Sequence, residues 1–290
     1  MKPKIDLQHP VVKKGVDLYY KQVEKALEYT LELERAVVPI YWTLKQETKP
    51  EQVGTGVIVE LGGEFFVFSA SHVFDDIKQF QLLIGAGNDE KLVSLVGERF
   101  SSAKGPSGTH RDDPIDASVF HIQSGLTDSI KTKALTYENI DLSEPYSQKS
   151  VYVACGFRVK KSNTDGYKAS SKQECFTSLE YDAQYYSKLN LSPNMHTALV
   201  YEAQRLLNGE WNKSPKPSGI SGGAIFRVDG ISFLRNCADS QNPSAKLNAI
   251  TIEHRQEKGG QVGALIGTKI GVHLGLIQHF LPKALVDVVK

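Results

Sequence analysis

From about residue 37 the chain breaks into short runs rich in β-branched and aromatic residues. AVVPIYWTL, GTGVIVEL, GEFFVFSAS, FQLLIGA, KLVSLVGERF, DASVFHI and KSVYVACGF follow one another, separated by Gly, Pro, Asn and Asp. Evenly spaced short strands of this kind specify an antiparallel barrel or sandwich, not a parallel sheet alternating with helices. ELGGEFF carries Gly62-Gly63 where a tight hairpin would turn. Residues 158–215 are less regular. Polar loops (KKSNTDGYKASSKQE) alternate there with expected strands at ECFTSLEY and HTALVYEAQRLL, and strands resume at GAIFRV, LNAITIEH and GALIGTKI.

Helices are expected only at the two ends. Val16, Tyr20, Val23, Leu27 and Leu31 recur at helical spacing and predict a helix over 16–36, with Asp17 as a cap near its start. HLGLIQHFLPKALVDVV predicts a short closing helix that Pro282 bends or restarts.

Composition bounds the function classes. With 34 basic and 33 acidic residues the net charge is +1, which gives no footprint for nucleic acid or an anionic membrane. No apolar run approaches a membrane span, and no apolar signal core follows the N-terminal lysines. Cys155, Cys175 and Cys237 are odd in number and widely spread, with neither disulfide-framework nor metal-ligand spacing. They read as buried small hydrophobes in a reducing cytoplasm. No H-x-x-x-H or H-E-x-x-H pattern appears among the eight histidines, so neither a metal nor a cofactor is expected.

Three fragments could carry chemistry. His72 follows a strand in FSASHVFDD, and Asp116 precedes one in RDDPIDASVFHI. Taken singly, each is an ordinary surface histidine or turn aspartate. Asp112 and Asp113 compete with Asp116, in what reads as a solvated setting. Ser221 in PSGISGGAIF is more pointed. Acyl transfer needs a nucleophile, a base, a group to orient the base, and N–H donors for an oxyanion. Glycines beside a serine let backbone amides converge without side-chain obstruction. GISGG also fits G-x-S-x-G, the elbow of α/β-hydrolases. That elbow leads into a helix, with its acid and histidine following the serine. Here a β-like run follows, and the candidates after Ser221 are Asp239, His254, His273 and His279.

Together, GTGVIVELGGEFFVFSASHVF, DASVFHI and PSGISGGAIF resemble the chymotrypsin-fold serine peptidases, closest to their disulfide-free, HtrA-like branch. The order His, Asp, Ser is the family's order. The resemblance spans roughly residues 37 to 280. It implies an all-β fold of two six-stranded antiparallel β-barrels with the site in the cleft between them, plus the N-terminal and C-terminal helices. The N-terminal helical extension would occupy 1–36 and the peptidase domain 37–290. The first barrel would cover about 37–125, and the second about 145–280 with an insertion at 158–215. The implied roles are nucleophile for Ser221, general base for His72, orienting carboxylate for Asp116, and oxyanion donors for the amides of Gly219 and Ser221. The activity implied is that of a serine endopeptidase acting on a protein or peptide substrate.

Two departures shape the expectations. Ile220 stands where zymogen-activated members carry an aspartate, so no activation by a new N-terminus is expected. Pro215 stands six residues before the nucleophile, where trypsin-like members place an acid. Thr251, Ile252 and Glu253 resemble one wall of the primary pocket. Leu265 occupies the opposite wall where a glycine would keep it open, so a shallow apolar pocket is expected. Glu253 offers an alternative attraction for a basic residue at the rim. Two other functions remain open: a catalytically silent peptide-binding module on the same barrels, and a serine esterase using the same site. A regulatory partner would engage the N-terminal helix or the 158–215 segment.

Overall fold

Six of the short apolar runs close on themselves. Strands β1 (Val37–Trp42), β2 (Glu51–Leu61), β3 (Glu64–Ala70), β4 (Gln81–Gly85), β5 (Leu92–Ser101) and β6 (Ala117–Ser124) form a closed barrel in the order β1-β2-β3-β6-β5-β4. The computed structural model describes residues 6, 9–43, 49–75, 81–85, 91–143, 150–165, 168–207, 210–231, 243–257 and 263–286. Cys237 and Asp239 lie outside them.

The run FFVF in β3 is continuously apolar because both faces of the strand are covered. Val67 points into the barrel with Ile40, Ile58, Leu82, Ile84 and Leu95. Phe66 and Phe68 point the other way, into a larger core shared with the second sheet and both terminal helices. Alternation along a strand sends successive side chains to opposite faces, and here neither face meets water. The β2–β3 turn falls at Gly62 and Gly63, with φ of 60° and 81°, as the Gly-Gly pair predicts.

The second body also has six strands. β7 (Ser150–Asp165), β8 (Lys168–Ser178) and β9 (His196–Val200) come first. After the side hairpin β10 (Gln204–Leu207) and β11 (Glu210–Lys213) come β12 (Ala224–Asp229), β13 (Ser244–Arg255) and β14 (Ala264–Lys269). Their order is β8-β7-β12-β13-β14-β9. The ends of this sheet are joined by a bridge, not by a full ladder. Val200 N–H donates to Leu179 O at 2.9 Å, and Tyr181 N–H donates to Ala198 O at 2.8 Å.

Residues 158–215 are therefore not an insertion beside the second body. They supply most of β8's long hairpin with β7 and all of β9, two edge strands of the sheet. The polar stretch expected as loops is paired strand from Ser162↔Ser171 to Asp165↔Lys168. Its polarity reflects exposure along the hairpin's outer end. The expected strand HTALVYEAQRLL is two strands, β9 and β10, and Tyr201–Ala203 lie between them.

The N-terminal helix α1 spans Pro10–Thr30, and His9 Nδ1 accepts from Val11 N–H at its start. It begins earlier than Asp17, which lies inside it. Pro10 at the first helical position explains the start, since that residue's N–H would be unpaired anyway. Its most buried residues are Gln22, Ala26 and Thr30, one position off the expected stripe. Small side chains at 26 and 30 let the helix approach β7, β8, β12 and β13 closely, while Val23 and Leu27 flank the seam. A 3₁₀ turn (Leu33–Ala36) leads into β1.

The one-turn helix α2 (Ser71–Phe74) follows β3. In the chain α3 (Asp128–Lys131) follows β6, and α4 (Ala183–Lys188) connects β8 to β9. The closing helix α5 (Ile270–Phe280) ends before Pro282, and a 3₁₀ turn (Pro282–Leu285) follows. Among the described residues no helix is long and apolar enough to cross a membrane.

Candidate active site

Ala70 is extended, and the chain turns into α2 at Ser71, which places His72 on the first turn. The His72 side chain keeps 27% of its surface exposed, whereas that of Asp116 keeps 7%. His72 Nδ1 lies 2.5 Å from Asp116 Oδ2, and the His72 backbone N–H donates to Asp116 Oδ1 at 2.8 Å. Both carboxylate oxygens are thus committed to one histidine, which fixes the ring's orientation. Burial pushes the Asp116 carboxyl above the usual range, and the bonds from His72 pull it down without cancelling that effect.

Asp116 adopts φ of 48°, a left-handed conformation that a non-glycine residue holds only when its surroundings impose it. The surroundings here are dense. Asp116 N–H donates to Asp113 Oδ2 and Ile115 N–H to Asp113 Oδ1, both at 2.9 Å. Ser71 N–H donates to Asp116 O at 3.1 Å. Thr268 Oγ1 from β14 donates to Ile115 O, and His196 Nε2 from β9 lies 2.7 Å from Pro114 O. Both bodies therefore hold this turn. Asp113 is buried, contrary to the solvated setting expected for it. Its two oxygens organise the backbone that presents Asp116, and the signal was the turn-forming Asp-Pro pair in RDDP. Asp112 accepts from Ser107 N–H at 2.8 Å, outside the site.

The loop at Ser221 is built on glycine. Gly219 has φ of 97° and Gly222 φ of 84°. A Cβ at Gly222 would stand 1.9 Å from Thr55 O and 2.2 Å from Ser69 Oγ, so the loop lies directly against the strand that leads to His72. A Cβ at Gly219 would stand 2.5 Å from Val159 N. Thr55 N–H donates to Ser221 O at 2.9 Å, and Gly222 N–H donates to Thr251 O at 2.7 Å. Among the described residues, neither the Gly219 nor the Ser221 amide donates to an acceptor. The Ser221 hydroxyl points to Ile252 O at 3.5 Å, the outer limit of a hydrogen bond, and not to His72.

A scan against protein-family models and a search of curated proteins find no match. Among solved structures, the chain is similar to neuropsin, a serine protease expressed in the limbic system of mouse brain. The TM-score is 0.54 with 11% identity, covering 86% of this chain and 95% of that one.

This chain has a chymotrypsin-like fold.

Of the residues expected to line the primary pocket, Thr251 and Ile252 meet the Ser221 loop: Thr251 N–H donates to Gly223 O at 2.8 Å, and Ile252 O faces Ser221 Oγ at 3.5 Å. Leu265 is 2% exposed and packs with Leu199, Ile220, Ile225 and Tyr152. Pro215 O accepts from Tyr201 Oη at 2.5 Å, and the Tyr201 ring meets Phe176 edge-on. Burial pushes the Tyr201 hydroxyl up to about 12. Thr251 is buried, with no partner for its Oγ1 among the described residues. Ile252 is buried, and Glu253 lies at the surface paired to Arg255 at 2.9 Å. That ion pair engages Oε2 of the carboxylate offered as a rim attraction for a basic substrate residue.

Thr55 is not singled out in the sequence, and Asp113 is weighed there only as a competitor to Asp116. Thr55 lies in GTGVIV, where nothing but its place between two glycines sets it apart.

Proposed function

We propose that this chain is a serine endopeptidase that hydrolyses peptide bonds through an acyl-enzyme. The observation that carries the reading is the two-point bond of His72 to Asp116 beside a glycine loop with two uncommitted amides. With Asp116 accepting from Nδ1–H, His72 Nε2 presents a lone pair. In this reading Ser221 Oγ leaves Ile252 O and turns toward that nitrogen. It then attacks the substrate carbonyl while Nε2 takes its proton. The Gly219 and Ser221 amides receive the negative oxygen, and His72 returns the proton to the leaving amine. Water repeats the cycle on the acyl-enzyme. In such sites the oxyanion donors and binding alone leave a rate about 10³–10⁴-fold over water, and the triad adds several further orders.

The filled space around Leu265, Ile220 and Tyr201 favours small or medium apolar residues before the scissile bond. The HtrA-like branch and a reducing cytoplasmic setting belong to this proposal and are consistent with free thiols at Cys155 and Cys175.

The 3.5 Å contact of Ser221 Oγ with Ile252 O favours a second reading, a silent peptide-binding module whose hydroxyl is parked away from the base. The two separate on incubation with an unstructured polypeptide and mass-spectrometric mapping of the products. Cleavage after apolar residues that vanishes in Ser221→Ala supports the peptidase. Binding without cleavage favours the module, and hydrolysis of activated esters alone marks an esterase. Cleavage dominated by Arg and Lys contradicts the pocket.

A further inference from the structure

Cys155 and Cys175 are distant in sequence but sit directly opposite each other on β7 and β8. Their Sγ atoms are 2.8 Å apart, and Cys175 Sγ lies 3.2 Å from Glu34 Oε2. Glu34 comes from the turn between α1 and β1, where Thr30 Oγ1 holds its other oxygen at 2.5 Å. Among the described residues these three groups form a cluster that could hold a metal ion. The sulfur spacing argues against that use. Two thiolates on one tetrahedral zinc, each at about 2.3 Å, stand roughly 3.8 Å apart. Unbonded sulfurs also keep a wider separation.

The position gives the pair a consequence. Cys155 O lies where a Cβ on Gly223 would meet it at 2.2 Å, and the next residue, Gly156, has room for nothing larger beneath Ile220. The Ser221 loop thus rests on Cys155 and Gly156. Residues opposite one another in an antiparallel pair keep their Cβ atoms about 4.5–5.5 Å apart. A disulfide draws them to about 3.8 Å. Closure therefore pulls β7 toward β8 at the point that supports the loop.

We propose that Cys155 and Cys175 are a reversible dithiol–disulfide site whose closure slows the chemistry of the loop above it. The second clause rests on the peptidase reading; the first does not. The oxidant is a small-molecule disulfide. Cys175, half-buried, reacts first. Its sulfur bonds to one sulfur of the reagent, the other sulfur leaves as a thiol, and Glu34 is placed to take the Cys175 proton. Cys155 then attacks Cys175 Sγ, gives up its own proton, and releases the second reagent thiol. The protein loses two hydrogens with their electrons, and the reagent gains both. Burial holds the Cys155 thiol well above its ordinary value, which leaves the first attack to Cys175; its fixed place beside Cys175 Sγ, not its acidity, carries the second step.

The test uses full-length protein with Cys237→Ser, treated with glutathione disulfide and then with dithiothreitol. The expected product is lighter by two hydrogens. It yields a linked Cys155–Cys175 peptide, reverts on reduction, and does not form in Cys175→Ser. In the oxidised form, labelling by a fluorophosphonate probe slows several-fold. A stable glutathione adduct on Cys175, a protein that stays reduced, or stoichiometric zinc that shields both thiols overturns the site. A linked peptide with unchanged labelling overturns the coupling. If neither redox form labels, the peptidase reading fails while the linked peptide still decides the dithiol.

Discussion

Thr55 Oγ1 donates to Gly219 O at 3.1 Å while accepting the N–H of Phe157 at 3.0 Å. One hydroxyl from the first barrel thereby ties the candidate oxyanion loop to β7 of the second sheet. Thr55→Val keeps the shape and removes both bonds, leaving two partly buried backbone groups unpaired at about 1–3 kcal/mol each. The expected result is a tenfold or greater loss in probe labelling or kcat, with KM little changed. Thr55→Ser restores most of it. A valine variant as fast as wild type would show that the loop holds its shape without this tether.

Asp116→Asn separates chemistry from stability. Asn tolerates the left-handed backbone that Asp116 adopts, but its amide favours the wrong imidazole tautomer. A rate loss of about 10⁴ is expected. Stability at pH 7 should hold or rise. Burial raises the Asp116 carboxyl in the folded state, so the folded chain binds that proton more tightly than the unfolded chain. The resulting stability is complete below the unfolded value and lost as pH rises through the folded one. The ionised form is thus a net cost at neutral pH that asparagine lacks. Urea unfolding of both proteins at pH 7 checks this.

His273 on α5 is fully buried and stacked on Phe68, with Nε2 at 3.3 Å from Ser69 O. Burial pushes it down from 6.5 to about 4. The folded state therefore favours the neutral ring. Its contribution is complete above pH 6.5 and lost as pH falls toward 4, by about 3 kcal/mol in all. Denaturant midpoints between pH 7 and 4 should fall more steeply for wild type than for His273→Leu. Equal slopes would mean that the acid sensitivity lies elsewhere.

Ile220 is 1% exposed and packs with Leu199, Ile225 and Leu265. It has no charge to offer a new N-terminus, so cleavage near residue 36 should leave activity unchanged. Ile220→Asp buries an unpaired carboxylate and should destabilise the fold by several kcal/mol. Activity that appears only after cleavage would contradict this account.

The strands were legible where alternation and turn residues agreed, as in β2 and β3 around Gly62-Gly63. His72 and Asp116 could be named because each stands at a strand edge beside small residues, and the structure brings those two together. The long β7–β8 hairpin was not legible. Its outer end buries only a small and a polar side chain, Ala169 and Thr164, so no apolar period-2 pattern marks it. The seam of α1 was displaced because close helix packing selects small residues, which hydrophobic spacing does not weight. Thr55 and the Cys155–Cys175 pair act across strands, so their meaning depends on contacts that no local window contains, whereas Asp113 organises its own turn within three residues.

The most direct measurement is covalent labelling of the folded protein by a fluorophosphonate, for wild type, Ser221→Ala and His72→Ala. Labelling of wild type at Ser221, lost in both variants, is the predicted result. A folded wild type that does not label, or a His72→Ala variant that labels at the wild-type rate, would contradict the proposed serine chemistry.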